Sequence, residues 1–345
     1  MRALTLTGTG GLEHLVMGEV PIPEIRTPDD VLVRVRAAAL NRLDLWMTGG
    51  LPNVSPVFPF VVGSDGAGVV EQVGEGVRTV RPGDRVMINP GISCGSCLAC
   101  VEGEEPLCRD FRILGEHVSG AAAEYVVVPA GNLGPVPDGM GWPEAAGFSL
   151  ATLTAWRMLV ARARLLAGET ALVWGIGGGV SLAALKIINL LGGRAIVTSG
   201  SEAKLERARE LGAAAALHHG RDDVVAEVWR LTGGWGADVV VESVGEQTWA
   251  NSLRALRKGG RVVVCGATTG PSAGFDLRRL FWNQWSILGS TMGSRREYAE
   301  IVRLAHQGRL WPVVDRVVSL TDGAAAYARM QRGEQTGKLV LEVST

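Results

Sequence analysis

Four of the chain's five cysteines fall in one stretch, "GISCGSCLACVEGEEPLCRD", residues 91–110. Cys94, Cys97, Cys100 and Cys108 follow the spacing C-x2-C-x2-C-x7-C. Thiolates so spaced close around one tetrahedral metal ion, and four of them leave no coordination position for a substrate. The pattern predicts one structural zinc. A bacterial ferredoxin run has its fourth cysteine closer and followed by proline, whereas Arg109 follows Cys108 here. The expected role is a clamp on a loop, so the reacting groups must be sought elsewhere.

A second stretch, "TALVWGIGGGVSLAALKIINLLGG", reads as strand, glycine turn and helix. Such a turn lets the backbone approach a pyrophosphate closely, and the helix N-terminus offers free N–H groups to it. Gly175 and Gly177 match the first two glycines of G-x-G-x-x-G, with Val180 at the third place. Read as G-x-x-G-x-x-G, the stretch has Gly175, Gly178 and then Ser181. The expected dinucleotide contacts are Gly175, Gly177, Gly178, Gly179 and Val180; the alternative is a tight turn without ligand. An NAD site would end its second strand in Asp or Glu, to bond the adenosine ribose. That strand ends "AIVTSGSEAK", with Ser199 in this place and Ser201 and Lys204 within reach. A hydroxyl does not repel a 2′-phosphate, so NADP(H) is favoured over NAD(H). Lys204 as an ordinary solvated helix residue is the competing reading. Cys265 and Gly266, ending "RVVVCG", fall on the cofactor side of a parallel strand; Cys265 reads equally as a small buried hydrophobe.

These motifs sit in two textures. Residues 1 to about 150 are rich in Gly and Pro, with short alternating runs such as "VLVRVRAAAL" and "AEYVVVPA" between turn signals. They predict many short strands in a barrel or sandwich. From 151 to about 290, buried-type runs centred near 172, 196, 216, 240, 263 and 287 alternate with helical stretches. That rhythm predicts an α/β doubly wound sheet of six parallel strands. Ser201 is placed to cap the helix of "SEAKLERARELG". Residues 291–345 hold a helix and strands such as "GKLVLEV", expected to pack back on the first domain.

The chain has 345 residues, 47% of them hydrophobic, and a net charge of −1 without a basic run. This excludes nucleic acid or an anionic membrane as main partner. No signal peptide is visible, and a cytoplasmic location is expected. There, clustered cysteines bind metal more often than they form disulfides.

"GSDGAGVVEQVGEGVRTVRPGDRV", the cysteine lobe, "LTAW" and the glycine turn occur in this order. Together they resemble the medium-chain dehydrogenase/reductase superfamily, the relatives of zinc-type alcohol dehydrogenase and quinone oxidoreductase. The resemblance implies a GroES-like catalytic domain (1–150 and 291–345, with its zinc lobe at 91–110) and a Rossmann domain (151–290). It also implies a homodimer or homotetramer, and Thr154 of "LTAW" near the nicotinamide. Zinc members hold a catalytic metal through two Cys and a His. Here the first Cys position falls on Asn41 of "NRLD", and Leu43 replaces the proton-relay hydroxyl. The "GHE" position reads "GSD", giving Ser64 and Asp65, and the third ligand position is Leu150. No catalytic zinc is expected from such residues, unless His14 or His117 rebuilds a site.

The expectation is therefore hydride transfer between nicotinamide and a carbonyl, quinone or enone at the cleft between domains. Hydrogen bonds would stabilise the developing oxyanion, with the Asn41 amide as donor. Asp44 is the nearby carboxylate, a site-orienting group or a structural partner of backbone or Arg42. Trp46, Trp282 and Trp285 line a pocket or interface, or simply pack. Two alternatives stand beside this: a zinc-type dehydrogenase of alcohols and aldehydes, and a non-catalytic dinucleotide-binding regulator.

Overall fold

The computed structural model describes residues 1–52 and 54–343. Asn53, Ser344 and Thr345 lie outside the described residues, the last two at the end of the segment read as 291–345. The chain forms two units: Met1–Leu153 with Met292–Thr345, and Thr154–Thr291.

The first unit is built on a seven-stranded sheet. Its central strand, Asp30–Ala39, buries Val31, Val33 and Val35 completely while Arg34 and Arg36 are half-buried. This is the period-two alternation of a strand with one face in the core. Asp65–Val73 pairs antiparallel with it on one side, with Ala39 opposite Asp65. Lys338–Glu342 pairs antiparallel on the other, with Val340 opposite Ala39. Continued two residues, that register sets Lys338 across from Asn41, and the bond from Leu40 N–H to Leu339 O (2.9 Å) extends the ladder in that direction. Three adjacent strands thus deliver Asn41, Asp65 and Lys338 to one end of the sheet. The segment 292–343 is accordingly joined to the first unit by a ladder, not by side chains alone.

In the second unit all six expected strands are present, and all pair in parallel. Their order is Ala215–His218, Arg194–Ser199, Thr170–Val173, Ala237–Glu242, Leu256–Val264, Ser286–Gly289. The order reverses between the first and fourth strands in sequence, Thr170–Val173 and Ala237–Glu242. Ligands of doubly wound sheets bind beyond the carboxyl ends at such a point. The core here includes Leu172, Ile196, Val240 and Val262, from four neighbouring strands. Ser201 does precede the helix Glu202–Glu210, but its hydroxyl makes no cap bond. Among the described residues no helix is long and apolar enough to cross a membrane.

Candidate functional site

The sulfurs of Cys94, Cys97, Cys100 and Cys108 all lie within 4.8 Å of one another. Sγ of Cys94 is 3.9 Å from that of Cys100 and 3.5 Å from that of Cys108, and Cys97 is 3.5 Å from Cys100. A zinc–sulfur bond of about 2.3 Å gives a tetrahedron with edges of about 3.8 Å, so these spacings fit the ion. Backbone N–H groups of Ser96 and Cys97 bring the Cys94 thiol down to about 6, while Cys97 beside it is pushed up to about 11. A carboxylate oxygen of Glu105, in the same lobe, accepts from Arg295 N–H at 3.3 Å. Cys108→Ser removes the one buried ligand. The expected result is loss of bound metal and a melting temperature lower by roughly 5 °C or more, with dinucleotide affinity retained. Metal analysis, a thermal melt and a binding titration check this.

The glycine turn follows Thr170–Val173. Gly175 and Gly177 have φ of 65° and 128°, values that favour glycine. The turn is pinned to the next strand: Thr198 Oγ1 accepts from Gly175 N–H (3.2 Å) and Thr198 O from Ile176 N–H (2.7 Å). Gly178 precedes the helix Gly179–Leu190, which has no side-chain cap. Its first N–H groups therefore remain for an anion. Ser181 substitutes for the third glycine by turning its hydroxyl inward, donating toward the carbonyls of Gly175 and Gly178 (3.1 Å each). Val180 is half-buried in the helix's first turn.

A network that the sequence does not announce lies behind this turn. Glu242, fully buried at the end of its strand, accepts from Val244 N–H (2.8 Å), Gly245 N–H (3.1 Å), Thr248 Oγ1 (2.9 Å) and Ser252 Oγ (2.5 Å). Ser252 Oγ in turn accepts from Trp174 Nε1 (2.8 Å). Trp174 thus fastens the start of the turn to the helix Glu246–Ala255, whose Ser252 also bonds Glu242. Cys265 follows the next strand. Burial, with the Glu242 charge, pushes its thiol up to about 12, so it stays a neutral thiol beside that loop. Gly266 is half-buried next to it, and Thr154 is buried at the start of this unit.

The residues expected to mark NADP(H) are placed as follows. Ser199 is buried, and its Oγ accepts from Ser201 N–H at 3.1 Å. The Lys204 side chain lies over the glycine turn, its Cδ 2.7 Å from where a Cβ on Gly177 would stand.

In the first unit the three ligand-equivalent positions come together without a metal-ligand set. Asp65 Oδ1 accepts from Leu150 N–H (2.8 Å). Asp65 Oδ2 accepts from Asn41 Nδ2 (3.0 Å) and from Lys338 Nζ (2.9 Å). Lys338 Nζ also donates to Asn41 Oδ1 (2.6 Å). The second Asn41 amide hydrogen has Ala39 O at 3.4 Å. The amide expected to serve substrate is thus engaged at both ends, and an ammonium stands among the three positions. A cation, an amide and a hydroxyl do not fit a catalytic zinc. His117 does not rebuild one: its Nδ1 accepts from Ile113 N–H at 3.2 Å. Among the described residues the four cysteines are the only metal-ligand group.

Asp44 is structural in geometry. Its Oδ2 accepts from Asn41 N–H (2.8 Å), at the start of the helix Arg42–Gly49, and from Tyr327 Oη (2.9 Å); Arg42 is not its partner. Burial pushes its carboxyl up to about 6, opposed by those two bonds. Trp285 packs against the core of the second unit with its Nε1 donating to Arg257 O (2.9 Å), whereas Trp282 is 72% exposed. A surface cavity of about 970 Å³, lined by residues such as Arg78, Asp84, Asp138 and Arg295, includes none of the candidate residues.

Comparison with known proteins matches residues 27–138 to the alcohol dehydrogenase GroES-like domain and residues 179–307 to the zinc-binding dehydrogenase family. An NAD-dependent alcohol dehydrogenase of Sulfolobus acidocaldarius is 30% identical, covering 100% of both chains. A crotonyl-CoA reductase of Streptomyces avermitilis is 31% identical over 94% of this chain and 80% of its own. A solved structure described as an NAD-dependent alcohol dehydrogenase superposes with TM-score 0.95 at 44% identity, covering 100% of each chain. These NAD-dependent relatives overturn the expectation of NADP(H). They also shift the balance from quinones and enones toward alcohols and aldehydes. With its GroES-like unit, Rossmann sheet and cysteine lobe, the chain belongs to the zinc-type alcohol dehydrogenase and quinone oxidoreductase branch of the medium-chain dehydrogenase/reductase superfamily, and it is an NAD(P)(H)-dependent oxidoreductase.

Proposed function

We propose that the chain uses NAD(H) to interconvert an alcohol and its aldehyde or ketone. The observation that carries this is the full-length likeness to NAD-dependent alcohol dehydrogenases. Bound NADH supplies the hydride. The turn Gly175–Gly179 and the helix after it hold the pyrophosphate, and the Glu242 network keeps the adjoining loop in place. Cys265, Gly266 and Thr154 complete the cofactor site. In the first unit Asn41 and Asp65 fix the ammonium of Lys338, and Asp44 with Tyr327 fixes Asn41. Exposed Leu277, Phe281 and Trp282, on the helix that precedes the edge strand Ser286–Gly289, support assembly into a homodimer or homotetramer.

A second reading, reduction of an activated double bond, is favoured by one observation. Asn41, Ser64 and Leu150 supply no thiolate or imidazole to polarise a simple carbonyl through a metal, and a crotonyl-CoA reductase is among the relatives. Turnover of NADH and NADPH with a panel of aldehydes, ketones, enones and quinones separates the two. The account expects NADH to be preferred and aldehydes or ketones to be reduced. Turnover confined to enones or quinones supports the second reading, and preference for NADPH overturns the cofactor assignment.

A further inference from the structure

The junction of Asn41, Ser64, Asp65 and Leu150 is built around a positive charge that belongs to the chain itself. Lys338 is 3% exposed and Asp65 fully buried. In so dry a setting a fixed charge acts on a neighbouring group far more strongly than in water. An ammonium has three hydrogens to donate. Asn41 Oδ1 and Asp65 Oδ2 accept two of them, and no described residue accepts the third. The hydroxyl of Ser64, which directly precedes Asp65, is buried and has no hydrogen-bond partner. Most buried polar groups find a partner in protein, water or ligand, and this hydroxyl is left with one to make.

We propose that Lys338 Nζ and Ser64 Oγ bind the oxygen of the substrate, with Asn41 and Asp65 as positioning residues that aim the ammonium. The proposal rests on the alcohol–carbonyl reading above. In the reducing direction the carbonyl carbon takes hydride from NADH, which is oxidised to NAD. The π-electron pair of the C=O bond moves to oxygen, where the two donors stabilise the developing charge. That oxygen then takes the third ammonium proton, completing the alcohol, and water returns a proton to Nζ. The sum is carbonyl plus NADH plus one proton, giving alcohol plus NAD.

The test compares wild type with Lys338→Met, Ser64→Ala, Lys338→Arg and the double variant Lys338→Met/Asp65→Asn. The double variant removes the buried charge pair together, so that no unpaired carboxylate is left to unfold the chain. Two readouts are taken: kcat/KM with the aldehyde or ketone turned over best, and calorimetric binding of trifluoroethanol, an alcohol acidic enough to bind as an alkoxide, to the protein–NAD complex. The double variant is expected to melt and bind NADH as wild type does, to lose about 10²–10³-fold in kcat/KM, and to lose trifluoroethanol binding. Ser64→Ala loses less, and Lys338→Arg regains part of the loss because the charge returns. A folded double variant that keeps trifluoroethanol binding, or keeps kcat/KM within threefold of wild type, overturns the proposal. So does failure of the wild-type NAD complex to bind trifluoroethanol. If trifluoroethanol binding depends on Lys338 but no alcohol or carbonyl is turned over, it is the functional reading that fails and the oxygen site that stands.

Discussion

Replacing Asp65 with alanine destabilises the first unit by about 3–5 kcal/mol, read from denaturant unfolding of wild type and variant under the same conditions. The cause is what the substitution leaves behind. Lys338 Nζ is buried with two acceptors, and Asp65 is the charged one. Without it the ammonium keeps only the neutral Oδ1 of Asn41, at a position that is 3% exposed. Leu150 N–H and one Asn41 amide hydrogen lose their acceptor at the same time. Asp65→Asn retains an acceptor oxygen and is expected to cost clearly less. If Asp65→Ala unfolds within about 1 kcal/mol of wild type, the pair is not the buried contact described here, since only surface ion pairs are worth so little.

Gly177→Val abolishes dinucleotide binding at concentrations that saturate wild type, a loss of at least about a hundredfold in affinity, or roughly 2.7 kcal/mol. Three costs combine. A β-branched residue at φ 128° is strained. Its Cβ would lie 2.7 Å from Lys204 Cδ, so the lysine must move off the turn. The added branch also stands where the backbone has to approach the pyrophosphate. Titration of NADH against the variant's fluorescence measures this. The cysteine lobe of the variant keeps its metal, because the two features lie in different units. Unchanged NADH affinity would move the cofactor away from this turn.

Features encoded by neighbours along the chain are legible in the sequence alone. The zinc lobe rests on spacing within fifteen residues, and the six parallel strands rest on buried runs that repeat with a steady rhythm. The glycine turn is local too, and its imperfect third glycine is tolerable because Ser181 turns its hydroxyl into the turn. What is not legible depends on partners far apart. Lys338 meets Asn41 and Asp65 across 297 and 273 residues. Its one local signal is a lysine opening an apolar strand in a chain with only four lysines. Trp174 finds Ser252 78 residues away, so its role is equally hidden. The NADP(H) expectation fails against the NAD-dependent relatives. Residue types near a strand end say which groups are available, but not that Ser199 bonds its own loop or that Lys204 folds over Gly177. Asn41 stands out by its position in the chain, yet its amide is consumed by contacts that only the sheet register creates.

One measurement tests the account most directly. NADH carrying deuterium in turn at each of its two transferable C4 positions is oxidised by the protein with an α,β-unsaturated aldehyde, and the product is examined by proton NMR. The account predicts that one of the two labelled forms gives an unsaturated alcohol with deuterium on the former carbonyl carbon, as expected when donors at Lys338 and Ser64 hold the aldehyde oxygen beside the hydride. A saturated aldehyde with deuterium on the β-carbon would contradict it, and would make the chain a reductase of activated double bonds.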